Sequence, residues 1–232
     1  MVIVATAALS ALIVVLTAWT GNGPRPALGG GRVGGGRHLA TGSPTPINVA
    51  RVGALAIKLP IVLANVTAIA YHATPGVAAL SPEGKQVNEG LLARLFDRFT
   101  GASNGGINYY ELAGGVGTSN GALDVGAPVG ADVYAPVDGT VVQIGKYVID
   151  GRSYGGRIDI RPVDDPTLIV SVTRLAPDHL LKIGEPLVAD ATRLGSVIDL
   201  SHVERLVMAK YSHDAGNHVT IEVSSAAIPI LP

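Results

Sequence analysis

The chain has 232 residues, 17 Lys and Arg against 18 Asp and Glu, and no cysteine. A net charge of −1 lacks the basic face that phosphate-backbone binding needs, so nucleic acid is not expected as a partner. Absent cysteine excludes disulfides and thiolate metal sites, and 30 glycines with only 4% aromatic and 15% charged residues suit a turn-rich β protein better than a helical bundle.

The first element is "VIVATAALSALIVVLTAW", residues 2–19, which carries no charge. At about 1.5 Å of rise per residue, about 18 residues just span a hydrocarbon core of about 30 Å, so residues 1–20 are expected to be a membrane anchor or a signal segment. No Lys or Arg precedes the segment while Arg25, Arg32 and Arg37 follow it, which by the positive-inside rule pulls against export of the C-terminal part. Residues 21–46 are rich in Gly, Pro and Arg. They contain G-x-G-x-x-G at Gly29, Gly31 and Gly34, but with no strand before it and no apolar helix after it the stretch predicts a flexible linker and not a dinucleotide loop.

From Ile47 the pattern turns globular, and residues 47–106 are expected to extend a domain that occupies 107–232. "VGALAIKLPIVLANVTAIAYHA" is interrupted by Lys58 and Pro60, and its β-branched runs predict extended segments packed on a core. Leu91, Leu92, Leu95, Phe96 and Phe99 fall at helical spacing and predict one amphipathic helix. Beyond Gly114 come short strands between turn residues. "DVYAPVDGTVVQIGKYV" predicts two strands about a Pro-Val-Asp-Gly turn, followed by "GRIDIRP", "LIVSVTRL", "EPLVA", "RLGSVIDL" and "HVTIEVS". Ser201 and Glu204 fit a capping box that opens a helix over "VERLVMAKY".

Four stretches in order, "LDVGAPVGADVYAPVDGTVVQIG", "YGGRIDI", "KIGEPLVADATRLGSV" and "NHVTIEV", resemble the LytM-like (M23) zinc endopeptidases of bacterial cell walls. The resemblance covers about residues 107–224. It implies a mainly β fold: a β-sandwich core of the duplicated-hybrid-motif kind with one or two short helices, here preceded by the N-terminal apolar helix. In that family a His and an Asp four residues apart hold zinc with the second His of an H-x-H pair, and two further histidines assist the attacking water at an open metal position.

Carried over residue by residue, the match is partial. Asp124 stands at the Asp position, but Asn120 replaces its His partner. His218 stands at the first position of H-x-H, Thr220 replaces the ligand, and Arg174 replaces the middle-strand His. An amide and a hydroxyl do not replace two imidazoles, and the charge of Arg174 opposes a dication, so no bound cofactor is expected. On a strand, His218, Thr220 and Glu222 share one face and would line what remains of the site. His213 and Asp214 offer an alternative pair beside His218. His202 and His179 are expected at a helix cap and a turn, and His38 and His72 show no partner.

Two functions follow from the resemblance. One is a catalytically inactive module in the extracytoplasmic cell envelope, membrane-anchored through residues 2–19 or secreted, that binds peptidoglycan or a wall hydrolase. The other is an active zinc endopeptidase with ligands rearranged among Asp124, His213, His218 and Glu222. A third reading, a biotinyl-type carrier suggested by "APVDGTVV", lacks a lysine at an exposed tight turn, since Lys182 and Lys210 lie in other contexts.

Overall fold

Apolar and polar residues alternate along "ALDVG" and "HVTIEV", and that alternation sets the architecture. The structure is a computed structural model that describes residues 39–88, 107–202 and 207–226. The apolar segment 2–19, most of the linker with His38, and the expected helix through Leu91–Phe99 lie outside the described residues.

The strands in chain order are β1 (Asn48–Val52), β2 (Leu55–Lys58), β3 (Ala68–Thr74), β4 (Ser81–Pro82), β5 (Lys85–Gln86), β6 (Asn108–Glu111) and β7 (Thr118–Gly126). Then follow β8 (Asp132–Tyr134), β9 (Gly139–Ile149), β10 (Arg152–Pro162), β11 (Leu168–Pro177), β12 (Pro186–Leu187), β13 (Arg193–Val197) and β14 (His218–Ser225). Among the described residues the helical elements are two 3₁₀ turns, Leu63–Asn65 and Val207–Lys210. The protein is mainly β.

One large sheet runs β12-β9-β10-β11-β14-β7-β3-β6-β5, with β13 pairing both β11 and β8. A small sheet, β2-β1-β4, packs against its apolar face. On that face Ile69 and Tyr71 of β3, Leu123 and Val125 of β7, Val170 and Val172 of β11, and Val219, Ile221 and Val223 of β14 join Val49, Leu55 and Ile57 in one core. Tyr71 crosses between the sheets: its ring is fully enclosed and its hydroxyl donates to the Val49 carbonyl at 2.5 Å. Burial raises its pKa further above the ordinary phenol value. The opposite face of β3, β7 and β14 carries the complementary residues of the alternation, small apolar ones (Ala68, Ala70, Ala122) among polar ones (His72, Asp124, His218, Thr220).

One sequence expectation is corrected. The "VYAPVDGTV" strands do not pair with each other. Tyr134 pairs with Arg193 of β13, while β9 pairs with β10 and β12. The backbone of Ala135 between them is committed elsewhere, its N–H to Thr192 and its carbonyl to the Asp190 N–H, so the chain crosses from one neighbour to another instead of folding back. The Ser201 hydroxyl donates to Asp199 at 2.6 Å, Val207–Lys210 of the expected helix is a 3₁₀ turn, and Glu204 of the expected capping box lies outside the described residues. By contrast β9 and β10 do form a hairpin across Asp150-Gly151, both at positive φ (48° and 78°), as a two-residue turn of primed type requires.

Candidate functional site

The polar face gathers at the middle of the large sheet, where β7 is flanked by β3 and β14. Asp124 faces Thr220 across one seam and Ala70 across the other, and His72 lies opposite Ala122. Because β3, β7 and β14 keep an unbroken alternation here, His72, Asp124, His218 and Thr220 all project from the face opposite the core. Asp124, His218 and Thr220 are each 4% exposed.

A buried carboxylate needs partners to remain charged. The Thr220 hydroxyl donates to Asp124 Oδ1 at 2.7 Å. The imidazoles stand on either side of the group: His218 Nε2 is 3.8 Å from Oδ1, and His72 Nε2 is 3.5 Å from Oδ2. Burial alone would raise the Asp124 pKa, but the His218 ring, His72 and the Thr220 hydroxyl outweigh it and hold the carboxyl well below its ordinary value. The Asp124 carboxylate in turn raises the pKa of His72, against a lowering by burial. Each ring is fixed from behind. His218 Nδ1 lies 2.8 Å from the Gly216 carbonyl, and His72 Nδ1 lies 3.1 Å from the Ala73 carbonyl and 3.3 Å from Thr74 Oγ1.

Gly216 makes that support possible. It sits at φ 78°, and a Cβ there would come within 2.3 Å of the Ala209 backbone nitrogen, so only glycine lets the chain pass the 3₁₀ turn and enter β14. Asp214 shapes the same approach, accepting the Gly216 N–H at 2.9 Å.

Arg174 reaches the site through a bulge. Leu175 pairs with Gly156 and Thr173 with Arg157, which leaves Arg174 as the extra residue, at φ 64°. The bulge turns onto the polar face a side chain that strict alternation would send to the core. Its guanidinium lies 5.7 Å from the centre of the Tyr147 ring. Together with His72, Asp124, His218, Met208 and the Gly114–Gly115 loop it lines a cleft of about 310 Å³. Glu222, next on the β14 face, is half-buried. Its pKa is raised by burial, with Arg157, His72 and Arg174 drawing it back down.

The structure thus brings together Asp124, Thr220, His218 and Arg174, with Glu222 adjacent, and places Asn120 elsewhere. Asn120 takes φ 51° at the far end of β7, and its amide Nδ2 lies 3.5 Å from Glu111 Oε1, turned away from Asp124. The zinc set implied by the resemblance does not fit these residues: Asn120 faces Glu111, and Thr220 spends its proton on Asp124. His213 is exposed on the loop before β14, and Asp214 is engaged with Gly216, so the alternative pair is not formed either. As the side chains stand, no three imidazoles or carboxylates among the described residues close around one point. His179 and His202 are exposed beside Asp178 and Asp199.

His72 is the residue that sequence reasoning passed over. Its own strand showed the face, since Tyr71 is core and His72 therefore is not. Nothing local showed that β3 would lie against β7 and deliver the ring to Asp124.

No model of a protein family matches the chain, and no curated protein matches it by sequence. Among solved structures it is similar to Helicobacter pylori Csd3, at 19% identity and a TM-score of 0.33 over 50% of this chain and 26% of that one. It is also similar to lysostaphin, at 14% identity and a TM-score of 0.35 over 49% of this chain and 39% of that one. A zinc-containing peptidase from Vibrio cholerae is a third, at 20% identity and a TM-score of 0.32 over 47% and 29%. All three are partial likenesses, and the chain spans well under half the length of each.

Proposed function

We propose that the chain is a LytM-like module of the bacterial cell envelope, held outside the membrane through residues 2–19, that engages the peptide of the wall or a wall hydrolase without cutting it. The observation that carries this reading is the state of Asp124. The residue that the resemblance makes a metal ligand is held by the Thr220 hydroxyl at 2.7 Å, at the position where a ligating imidazole would be needed. Arg174 stands where a histidine would assist the attacking water, and a guanidinium that stays protonated at any working pH cannot take a proton from water. What survives is a cleft with one fixed cation, a buried carboxylate and two imidazoles, bounded by glycines at positive φ. Such a groove suits an extended peptide bearing a carboxylate, which Arg174 can bind.

The test is retention on purified sacculi by the full chain in mild detergent with a chelator present, wild type against Arg174→Ala. Wild type should be retained and the variant retained at least about tenfold less, with no release of soluble wall peptides. Equal retention of both, or of neither, would refute the role given to this cleft.

A further inference from the structure

The cleft lies between two small apolar clusters. Met208 and Leu112, which line it, pack with Tyr110 and Tyr211 on one side. On the other side Tyr147 packs with Tyr154 and Leu200, the two tyrosine rings meeting edge-on with centroids 6.5 Å apart. Arg174 stands between the cleft and this second cluster. It lines the cleft, and its guanidinium lies 5.7 Å from the centre of the Tyr147 ring. Burial raises the Tyr147 pKa, and the guanidinium beside it pulls in the opposite direction. Arg174 is therefore a cation backed by an aromatic wall, at one end of the cleft.

The carboxylates nearby are matched by other groups. Asp124 is kept charged, against the cost of burial, by the His218 ring, His72 and the Thr220 hydroxyl. Glu222, which burial pushes toward its neutral form, is drawn back first by Arg157. With five N–H donors, a guanidinium that rests on a tyrosine can also fork onto an incoming carboxylate, and such charged hydrogen bonds are roughly twice as strong as neutral ones. A peptide running through the cleft would offer Arg174 only neutral amides while taking water from its charge. A peptide that ends there offers a carboxylate. The volume of about 310 Å³ agrees, since it is at the small end of ligand pockets and suits the last residues of a chain better than a long run of it.

We infer that the cleft receives the free C-terminal carboxylate of a peptide, with Arg174 as the residue that binds it and Tyr147 as the residue that positions Arg174. The inference rests on the peptide-binding reading under Proposed function and narrows it, from a carboxylate anywhere on the peptide to the end of the chain. A peptide joined to others at both ends would lack the group that the cleft selects.

The test is fluorescence anisotropy with the full chain in mild detergent and three peptides carrying an uncharged dye at the N-terminus. The first is Ala-Ala-Ala with a free carboxylate, the second its C-terminal amide, and the third an amidated Ala-Glu-Ala whose one carboxylate is on a side chain. Each is made from L- and from D-residues. In the hand that wild type binds better, the free acid should bind at least about tenfold more tightly than either amide. This comparison needs no variant to fold. Arg174→Ala should bind all three alike. Tyr147→Phe, which keeps the ring and removes the hydroxyl, should narrow the preference for the acid and leave binding of the amide unchanged. Equal binding of acid and amide by wild type would overturn the inference, as would binding of none of the peptides or a preference that survives Arg174→Ala. Amidated Ala-Glu-Ala bound as tightly as the acid would overturn it too, by assigning the anion to a side chain. The two proposals fail separately. Retention on sacculi without a preference for the acid removes only the chain-end inference, and the preference without retention removes only the wall-binding role.

Discussion

The two faces of the same three strands make the sharpest contrast in this molecule. On one, Ile69, Tyr71, Leu123, Val125, Val219 and Ile221 are shut into the core, and what they contribute depends on volume and area. On the other, one residue away in every strand, Asp124, His218 and Thr220 are nearly as deeply enclosed and His72 is half-buried, and what they contribute depends on whether each polar atom finds its partner. Burial alone does not separate the two faces. Chemistry does: a change in the core leaves a cavity, whereas a change at the site leaves a charge without its partners.

The largest expected effect lies on the core face. Ile221 is fully buried, and Ile221→Ala should lower stability by about 2–5 kcal/mol, the loss coming from transfer and a residual cavity. Chemical denaturation measures it, and retention of the folded fraction on sacculi should be unchanged. A loss below about 1 kcal/mol would mean the core is looser at this strand than its packing indicates.

On the site face, one residue back, Thr220→Val keeps the shape and removes the hydroxyl. Asp124 then loses its one short hydrogen bond, and the expected loss is about 1–3 kcal/mol. Measured beside Ile221→Ala, this variant sharpens the contrast, because it deletes almost no volume. Equal stability of Thr220→Val and wild type would show that water or a neighbouring side chain replaces the hydroxyl.

How far each face was legible in the sequence follows from the same contrast. The core face was, since alternation in "ALDVG" and "HVTIEV" is local and period two decides it. The site face was only partly legible. Asp124, His218 and Thr220 fall on neighbouring strands in the order that the resemblance implies, but His72 depends on β3 pairing with β7 across about fifty residues of chain, which no local pattern encodes. Asn120 was misplaced for the converse reason. Four residues of ideal strand would keep it on the face of Asp124, but its φ of 51° bends the chain and turns the amide to Glu111. Arg174 reaches the cleft through a bulge, and a bulge leaves no mark that counting by twos can find.

Proton binding separates the faces further, since Tyr71 on the core face is held neutral far above neutral pH while the site face carries an imidazole and a carboxylate that change charge at lower pH. The pKa of His72 is raised above 6.5 in the folded protein, so its contribution to stability is fully present below about pH 6.5 and fades as pH rises through the folded value. That of Asp124 is lowered below 3.8, so its contribution is present above about pH 4 and is lost only at stronger acidity. With a chelator present, the stability gap between wild type and His72→Gln should therefore be wider at about pH 5.5 than at about pH 8.5. An equal gap at both values would show that the imidazole contributes by packing alone.

The smallest expected effect tests the backbone that sends a side chain from one face to the other. At φ 64° Arg174 occupies the left-handed region, where a Cβ crowds the following carbonyl and glycine does not. Arg174→Ala and Arg174→Gly both lose the guanidinium and its contact with Tyr147, so their difference reports the backbone alone. If the bulge is as described, glycine should be the more stable of the two by about 0.5–1 kcal/mol, despite the extra chain entropy that glycine loses on folding. Denaturation curves with a shared slope resolve such a gap. Alanine at or above glycine would place residue 174 in ordinary extended backbone. Its side chain would then point to the core, and the guanidinium could not stand in the cleft where the wall-binding proposal sets it.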